Sequence, residues 1–507
     1  MSKTFRPWKI DEPLLLPAQV QDFVAADHLA RFVLSLVRDE IDLAAISSSY
    51  DSDRGQPPFD PVMMTALLLL SYCCGIYASR RIATACRERV DFMSIVGFDA
   101  PDFRTVSEFR RRHLKALGAL FTQILHLCET AGLVKLGHVA LDGTKIKANA
   151  SKHKAMSYER MEKRAAELEA EVAKWLAVAE TTDAAEDKLY GTDKSGEEMP
   201  DWVADKKRRA ERIRRAKAEL EAEAKTAAEA KLKAAAEAQA QREAEGRKKP
   251  GRPTAPPSTV PDPKAQKNFT DPESRIMKSK NGFVQAYNAQ IAVDGQAQVI
   301  VAQDVTQSGV DSGQLVPMID ATKTNLGRYP VQASADAGYC SEANLEALET
   351  RDIDGYVATG RARDAVAGTV AGGPAAVPGA PEPVSVTTPE TEPKSQAEPV
   401  ATSTPEAKPG PEAEPVSTSK TEAEPKPTRV EAMRAKLKAG GHASPYRLRK
   451  QLPEPVFGQI KQARGFRQFL LRGFEKVCGE WAMVCTAHNL LKLAQGRTLS
   501  AVLPQAA

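Results

Sequence analysis

Three carboxylates in this chain stand in contexts where a carboxylate is useful only if something pairs with it. Asp142 lies in Gly137 to Asn149 (GHVALDGTKIKAN), among the apolar beats Val139, Leu141 and Ile146 of a segment with the composition of a buried strand. Burying a carboxylate is costly unless it is paired, and Mg²⁺ is a partner that prefers one or two carboxylates with water and phosphate oxygens. Asp336 follows the short run Val331 to Ser334, in Ala335-Asp336-Ala337-Gly338-Tyr339. Glu454 stands before Pro455, which biases its predecessor away from helical geometry and itself suits the first helical position, so this carboxylate is expected at a helix mouth. Two Asp and one Glu brought together could hold two Mg²⁺ about 3.5 to 4 Å apart, to activate a water or a 3′-hydroxyl for in-line attack on a phosphodiester. Lys461, about two helical turns beyond Glu454 and on nearly the same face, could reach the scissile phosphate. Taken singly, Asp142-Gly143 also suits a turn, and Glu454 also suits a helix N-terminus without any metal.

These acids need a frame. Residues 1–135 read as helical: Asp60-Pro61 opens a central helix through Met63 to Tyr72, and a second begins at Ser79-Arg80-Arg81. Pro101 to His113 (PDFRTVSEFRRRH) predicts a helix capped by Thr105 or Ser107, with Arg110, Arg111 and Arg112 in its second turn beside Phe109 and Leu114. A basic helix face in a small helical domain suits DNA contact, a solvated charged face being the plain alternative. Leu114 to Leu133 continues as an amphipathic helix leading to the Asp142 strand. Further on, Gly282 to Val293 and Ala297 to Val305 predict a β-hairpin through a two-residue Asp294-Gly295 turn. A helix over Asp311 to Leu326, opened by Asp311 or Ser312, precedes the Asp336 strand; Ser341 caps another through Leu348, and Asp354 to Thr359 is a last strand. A long helix is expected from Glu454 to about Phe474, then a second from Glu480 to Leu493.

Two stretches depart from this pattern. Residues 157–250 are rich in Ala, Glu, Lys and Arg and predict a long helical insertion with two arms, Tyr158 to about Ala179 and Asp201 to about Glu245. Its basic block, with Arg208, Arg209 and Arg212, could grip phosphates or form charge pairs along a solvated helix. It ends in Gly246 to Pro253 (GRKKPGRP), which resembles an AT-hook and would lay Arg252 in a narrow minor groove. Residues 366–428 are Pro, Glu, Thr, Ser and Ala, too poor in large apolar side chains to order, and predict a disordered insertion. Net charge is only +4, so any nucleic-acid surface must come from local clustering. Seven cysteines scattered in apolar contexts without a Cys-x-x-Cys pair argue against zinc and a disulfide framework, and for a reducing, cytoplasmic setting. The apolar run Val62 to Ala78 falls short of a membrane span, and the first thirty residues hold no signal-peptide pattern.

With both insertions set aside, the order becomes strand (Asp142), strand, strand, helix, strand (Asp336), helix, strand, then a helix near Glu454. This is the order of a ribonuclease H-like α/β fold, a mixed sheet with helices in which the first strand is central and the fourth lies beside it. The chain also resembles the DDE transposases of bacterial insertion sequences, in the group with a Tyr-Arg-Glu-Lys signature and an N-terminal helical transposase domain. The resemblance rests on VALDGTKIKANAS, TDPESRIMKSKNGFVQAYNAQIAVD, SADAGYCS and EPVFGQIKQARGFRQFLLRGFEKV. It covers about 1–160, 268–361 and 430–495. It implies a helical DNA-binding domain over 1–135 and a catalytic domain over 136–495, interrupted by the insertions. It further implies cleavage of double-stranded DNA at element ends and strand transfer into target DNA, with two Mg²⁺ or Mn²⁺ ions and a homodimer in the DNA complex. Asp142, Asp336 and Glu454 match the metal-binding triad, and Tyr446, Arg449 and Lys461 the remaining signature positions. The signature leaves three residues between Arg and Glu, whereas Arg449 to Glu454 leaves four and Lys450 has the regular spacing, so both are carried forward. Two alternatives are a non-catalytic DNA-binding regulator derived from a transposase and a metal-dependent nuclease on the same fold.

Overall fold

The segment that carries Asp142 forms the long strand β1 (His138–Lys147), and the main sheet is built outward from it. In the computed structural model the described residues are 19–50, 57–190, 201–244, 256–279, 282–360 and 427–502. The hook-like segment with Arg252 and the Pro-rich stretch up to residue 426 lie outside them.

Strands β2 (Ala155–Ser157) and β3 (Gln266–Asn268) form a small antiparallel pair of their own. The main sheet adds β4 (Arg275–Ser279), β5 (Gly282–Asp294), β6 (Ile300–Thr306), β7 (Gln332–Ala335) and β8 (Asp354–Val357). β1 lies between β5, antiparallel, and β7, parallel; β8 continues beyond β7, while β4 and β6 share the far edge of β5. The strand carrying Asp142 is therefore central and the Asp336 strand is its neighbour, as expected. The β5–β6 connection differs from the predicted two-residue turn. Asp294 ends β5, its carboxylate accepts the Leu136 and Gln296 N–H groups at 2.7 and 2.8 Å, and Gln298 takes the left-handed conformation (φ 59°) in a longer loop. One oxygen of the carboxylate thus ties the loop to the backbone leading into β1 while the other turns the chain at Gln296, and the Asp294 N–H to Val299 O bond at 2.9 Å closes a four-residue loop.

The N-terminal region forms α1 (Leu29–Asp39), α2 (Ala44–Ser47), α3 (Pro61–Cys73), α4 (Ser79–Glu88), α5 (Val90–Val96), α6 (Phe103–Arg112) and α7 (Leu114–Thr130). Asp60 caps α3 as its sequence predicts, accepting the Val62 and Met63 N–H groups. Asp102, rather than Thr105 or Ser107, caps α6, taking the Thr105 N–H at 2.7 Å, so the three arginines fall in the last turn of the helix. There they complement the helix dipole.

The insertion forms an antiparallel hairpin of α8 (Tyr158–Tyr190) and α9 (Asp201–Ala244). α8 runs on past the expected end near Ala179, because Ala184, Ala185, Glu186 and Lys188 are all good helix formers. Tyr158, Met161 and Leu168 pack on Ile213 and Leu220 in a small apolar cluster separate from the main core.

The remaining elements are α10 (Leu315–Leu326), α11 (Glu342–Thr350), α12 (Arg429–Gly440), α13 (Leu448–Gln451), α14 (Pro453–Gly458) and α15 (Phe474–Val502). The long helix expected to reach Phe474 ends early: α14 passes into a π-helical turn at Gln459–Ala463, and Gly465 (φ 72°) turns the chain out of it. The following segment lies along the end of β1, where Lys147 N–H bonds Arg467 O and Phe469 N–H bonds Lys147 O. α15 opens earlier than predicted, at Phe474, and packs on α3, α7 and β6. Among the described residues no helix is long and apolar enough to cross a membrane.

Candidate active site

Asp142 and Asp336 meet through strand register. β1 pairs in parallel with β7 as His138 with Gln332, Val139 with Ala333 and Ala140 with Ser334. Two residues further on, the same register sets Asp336 beside Asp142. Asp336 leaves the sheet at that point, and its Oδ1 accepts the Gly338 N–H at 2.9 Å; Asp142 Oδ1 accepts the Gly143 N–H at 2.9 Å.

Between the two carboxylates stands Arg449, from α13. Its Nη2 is 3.4 Å from Asp336 Oδ2 and 3.6 Å from Asp142 Oδ1. Burial pushes the Asp142 carboxyl up to about 6; Arg449 opposes this shift and the Asp336 charge adds to it. Arg449 is affected in both directions, burial lowering its pKa and the Asp142 and Asp336 charges raising it, with the net shift upward. Its Nε is buried without a hydrogen-bond partner. Lys450, which has the regular signature spacing, is exposed. The extra residue is absorbed by the break between α13 and α14 at Leu452 (φ −105°, ψ −73°), so Arg449 points at the acids despite the spacing. Tyr446 sits in the short turn before α13, near Arg449.

Glu454 is exposed in the first turn of α14, where Pro453 instead of Pro455 takes the first helical position. It too acts electrostatically on Arg449. Among the described residues no group of three or more His, Cys, Asp or Glu stands ready to hold a metal ion, so the structure brings Asp142 and Asp336 together and leaves Glu454 short of them. The donor chemistry nonetheless fits a hard divalent cation: two carboxylates on adjacent strands converge on one guanidinium, which supplies the positive charge they need. Lys461 sits within the π-helical turn, and its Nζ donates to Thr144 Oγ1, two residues along β1 from Asp142.

A fourth carboxylate escaped the sequence reading. Asp311 was expected as a helix cap, but α10 begins only at Leu315. Asp311 Oδ1 accepts from Asn288 Nδ2 at 2.6 Å and Gln290 Nε2 at 2.8 Å, and Oδ2 lies 3.4 Å from Lys145 Nζ. A Cβ built on Gly143 would come 2.8 Å from Asp311 Oδ1, and one on Gly338 would lie 3.0 Å from Asp336 Oδ1 and 3.5 Å from Asp311 Oδ2. These two glycines let Asp311 approach the Asp pair, and its charge adds to the upward shift of Asp142. No local pattern announces this role, since its partners come from β1 and β5.

The basic residues singled out in the sequence divide sharply. Arg110 is buried, and its guanidinium donates to Tyr77 O at 2.7 Å, Ser79 Oγ at 3.2 Å and Tyr72 Oη at 3.3 Å, so it braces the helical region instead of facing DNA. Arg111 and Arg112 are exposed, the first paired with Glu108 and the second stacked over Tyr50 at 4.8 Å. On the hairpin, Arg208 pairs with Asp205 at 3.1 Å and Arg212 Nε bonds Arg208 O at 3.4 Å, while Arg209 is exposed.

The family described as "Transposase domain (DUF772)" has a model that matches residues 18–112, and that of the "Transposase DDE domain" matches 416–494. Both matches are to transposase domains. They support a transposase, and with it DNA transposition by an enzyme that acts on DNA. The first spans α1 to α6; the second holds Tyr446, Arg449, Glu454 and Lys461. Asp142 and Asp336 fall outside both stretches, and it is the sheet that joins them to Arg449. No curated protein and no solved structure matches the chain.

Proposed function

We propose that this chain is a DDE transposase with a ribonuclease H-like core, which cleaves DNA at the ends of a mobile element and joins them to a target by metal-dependent phosphodiester chemistry. The observation that carries this reading is the convergence of Asp142 and Asp336 from adjacent strands onto Arg449, an arginine of the stretch matched to the transposase DDE domain. Asp142 and Asp336 would hold the divalent cation, with Glu454 at the mouth of α14 as the third acid. When bound, Mg²⁺ or Mn²⁺ would activate the attacking oxygen and stabilise the leaving one.

The chain's own groups do the rest. Arg449 neutralises the two carboxylates and keeps them together before DNA arrives. Lys461, held against β1 through Thr144, presents a positive charge beside Asp142 where a phosphate oxygen would sit. Tyr446 lies next to Arg449 at the same rim.

The test uses duplexes carrying the DNA that flanks the coding sequence. Asp142→Asn and Glu454→Gln are each expected to abolish Mg²⁺-dependent cleavage, a loss of at least about a thousandfold if each acid is essential, while the duplex is still bound. Full cleavage by Glu454→Gln would remove Glu454 from the site, and full cleavage by Asp142→Asn would overturn the proposal.

A further inference from the structure

Beside the candidate active site, the residues that leave β1 and those that follow Lys461 run together. Arg467 Nε donates to Lys461 O at 3.1 Å, Asn149 Nδ2 to Leu470 O at 2.7 Å and Arg472 Nε to Asn149 O at 2.9 Å. This double strand of backbone ends at a cavity of about 330 Å³, where α6 of the N-terminal region faces the 470–476 segment. Arg111 lines it from one side, Arg472 and Lys476 from the other.

The charges along this path have an unusual status. Lys147, Arg467, Arg472, Lys476 and Arg111 are all exposed. Among the described residues only Arg111 has an ion-pair partner, Glu108, with both side chains more than half exposed, and such a pair contributes little. Glu475 and Glu273, whose Oε2 accepts the Phe474 N–H, are further exposed acids beside it, and neither forms an ion pair with these cations among the described residues. The hairpin block offers a contrast. Its two half-buried cations, Lys206 and Lys217, are held by carboxylates at 2.6 and 2.9 Å. A phosphate binding there must first displace an acid. On the path from the active site it need not.

We propose that Lys147, Arg467, Arg472, Lys476 and Arg111 form a phosphate track, which carries the backbone of duplex DNA from the candidate active site to the junction with the N-terminal helices. The track rests on the transposase reading and names the surface by which that site takes its substrate. Its length sets the register. Asp142 to Lys147 is five strand residues, about 17 Å at the usual rise, or about five base pairs of B-DNA at 3.4 Å per step. The junction cavity therefore contacts phosphates more than about five base pairs from the cleaved bond.

The experiment measures binding of the full-length protein to a random-sequence DNA duplex, between about 50 and 200 mM salt. For each lost phosphate contact the slope of log K against log salt falls by about 0.9. The triple variant Arg111→Gln/Arg472→Gln/Lys476→Gln is expected to lower the slope by about 2.7. Lys147→Gln/Lys476→Gln guards against misfolding, because neither side chain makes a hydrogen bond among the described residues, and should lower it by about 1.8. Lys206→Gln/Lys217→Gln on the hairpin should leave it unchanged. Wild-type binding with the same slope in both track variants overturns the track alone. A wild-type protein that binds no duplex overturns the transposase reading and the track with it.

Discussion

At the scale of single residues, Arg449 carries the most consequence. Its guanidinium is a counter-charge within 4 Å of both Asp142 and Asp336. Removing one partner of a buried ionic group leaves the other uncompensated, at a cost of about 3 to 5 kcal/mol. Asp336 is 34 % exposed, which puts the expected cost at the lower end, about 3 kcal/mol. Arg449→Gln is therefore expected to lower the midpoint of denaturant unfolding in EDTA, and added Mg²⁺ should narrow the gap by replacing the missing charge. Lys450→Gln should change neither. An Arg449→Gln protein as stable as wild type in EDTA would show that the guanidinium is not holding the acids. Spacing alone could not choose between Arg449 and Lys450. The choice is made by the break at Leu452, a local backbone event that becomes visible only once α13 and α14 are placed against β1 and β7.

At the scale of elements, the segment between the π-helical turn and α15 is held by two buried acids, Asp271, whose Oδ1 accepts the Gly473 N–H at 3.2 Å, and Glu480. Glu480 on α15 accepts the N–H groups of Leu470 and Leu471 at 3.0 to 3.2 Å, and burial pushes its carboxyl from 4.5 up to about 7. Between those values the folded protein keeps the proton and the unfolded chain has lost it. This contribution to stability is thus full below pH 4.5 and is lost as pH rises through about 7. At 1.36 kcal/mol per unit it is worth about 3 kcal/mol. Glu480→Gln keeps an acceptor for the two N–H groups and removes the titration. Its stability relative to wild type is expected to rise between pH 5 and pH 8 by up to that amount, in paired denaturant titrations. A constant offset across that range would place the ionisation elsewhere. The same segment shows what a sequence does and does not disclose. Strands β1 and β5 to β8 of the main sheet were legible because short β-rich runs are a local signal, and α3 because Asp60-Pro61 is a local cap, whereas β4 was not expected. The path of 464–473 was not, since its backbone is satisfied by Lys147, Asn149 and Glu480, partners remote in sequence or on another element. Asp311 was misread for the same reason. It has the right type and place for a helix cap, and only the folded sheet brings Asn288, Gln290 and Lys145 to it.

At the scale of the molecule, the helical N-terminal region and the sheet share one apolar core, and α15 is the element that joins them. One side of it meets α3 and α7: Gly479 packs against Leu114 so closely that a Cβ there would lie 2.6 Å from Leu114 Cγ. Another side meets the sheet, where Trp481 Nε1 donates to Gln290 O at 3.2 Å and Asn489 exchanges two 2.8 Å hydrogen bonds with the Ile300 backbone. An N-terminal region that merely carried DNA contacts could be cut away from a catalytic core. Here the cut would expose the face of α15 that includes Gly479 and Ala482, which lie against Leu114 and Gly118 of α7, and would leave a helix whose burial on one side is lost. The whole protein is accordingly expected to show one calorimetric unfolding transition for this core, and a fragment of residues 136–507 to show none, with a flat near-ultraviolet circular dichroism signal. If that fragment is soluble and melts cooperatively, the two regions are independent, and the position of Arg111 opposite Arg472 no longer follows from the fold. If it fails while Gly479→Ala in the full chain lowers the melting temperature, the close contact between α7 and α15 is what aligns α6 with the acids of the sheet.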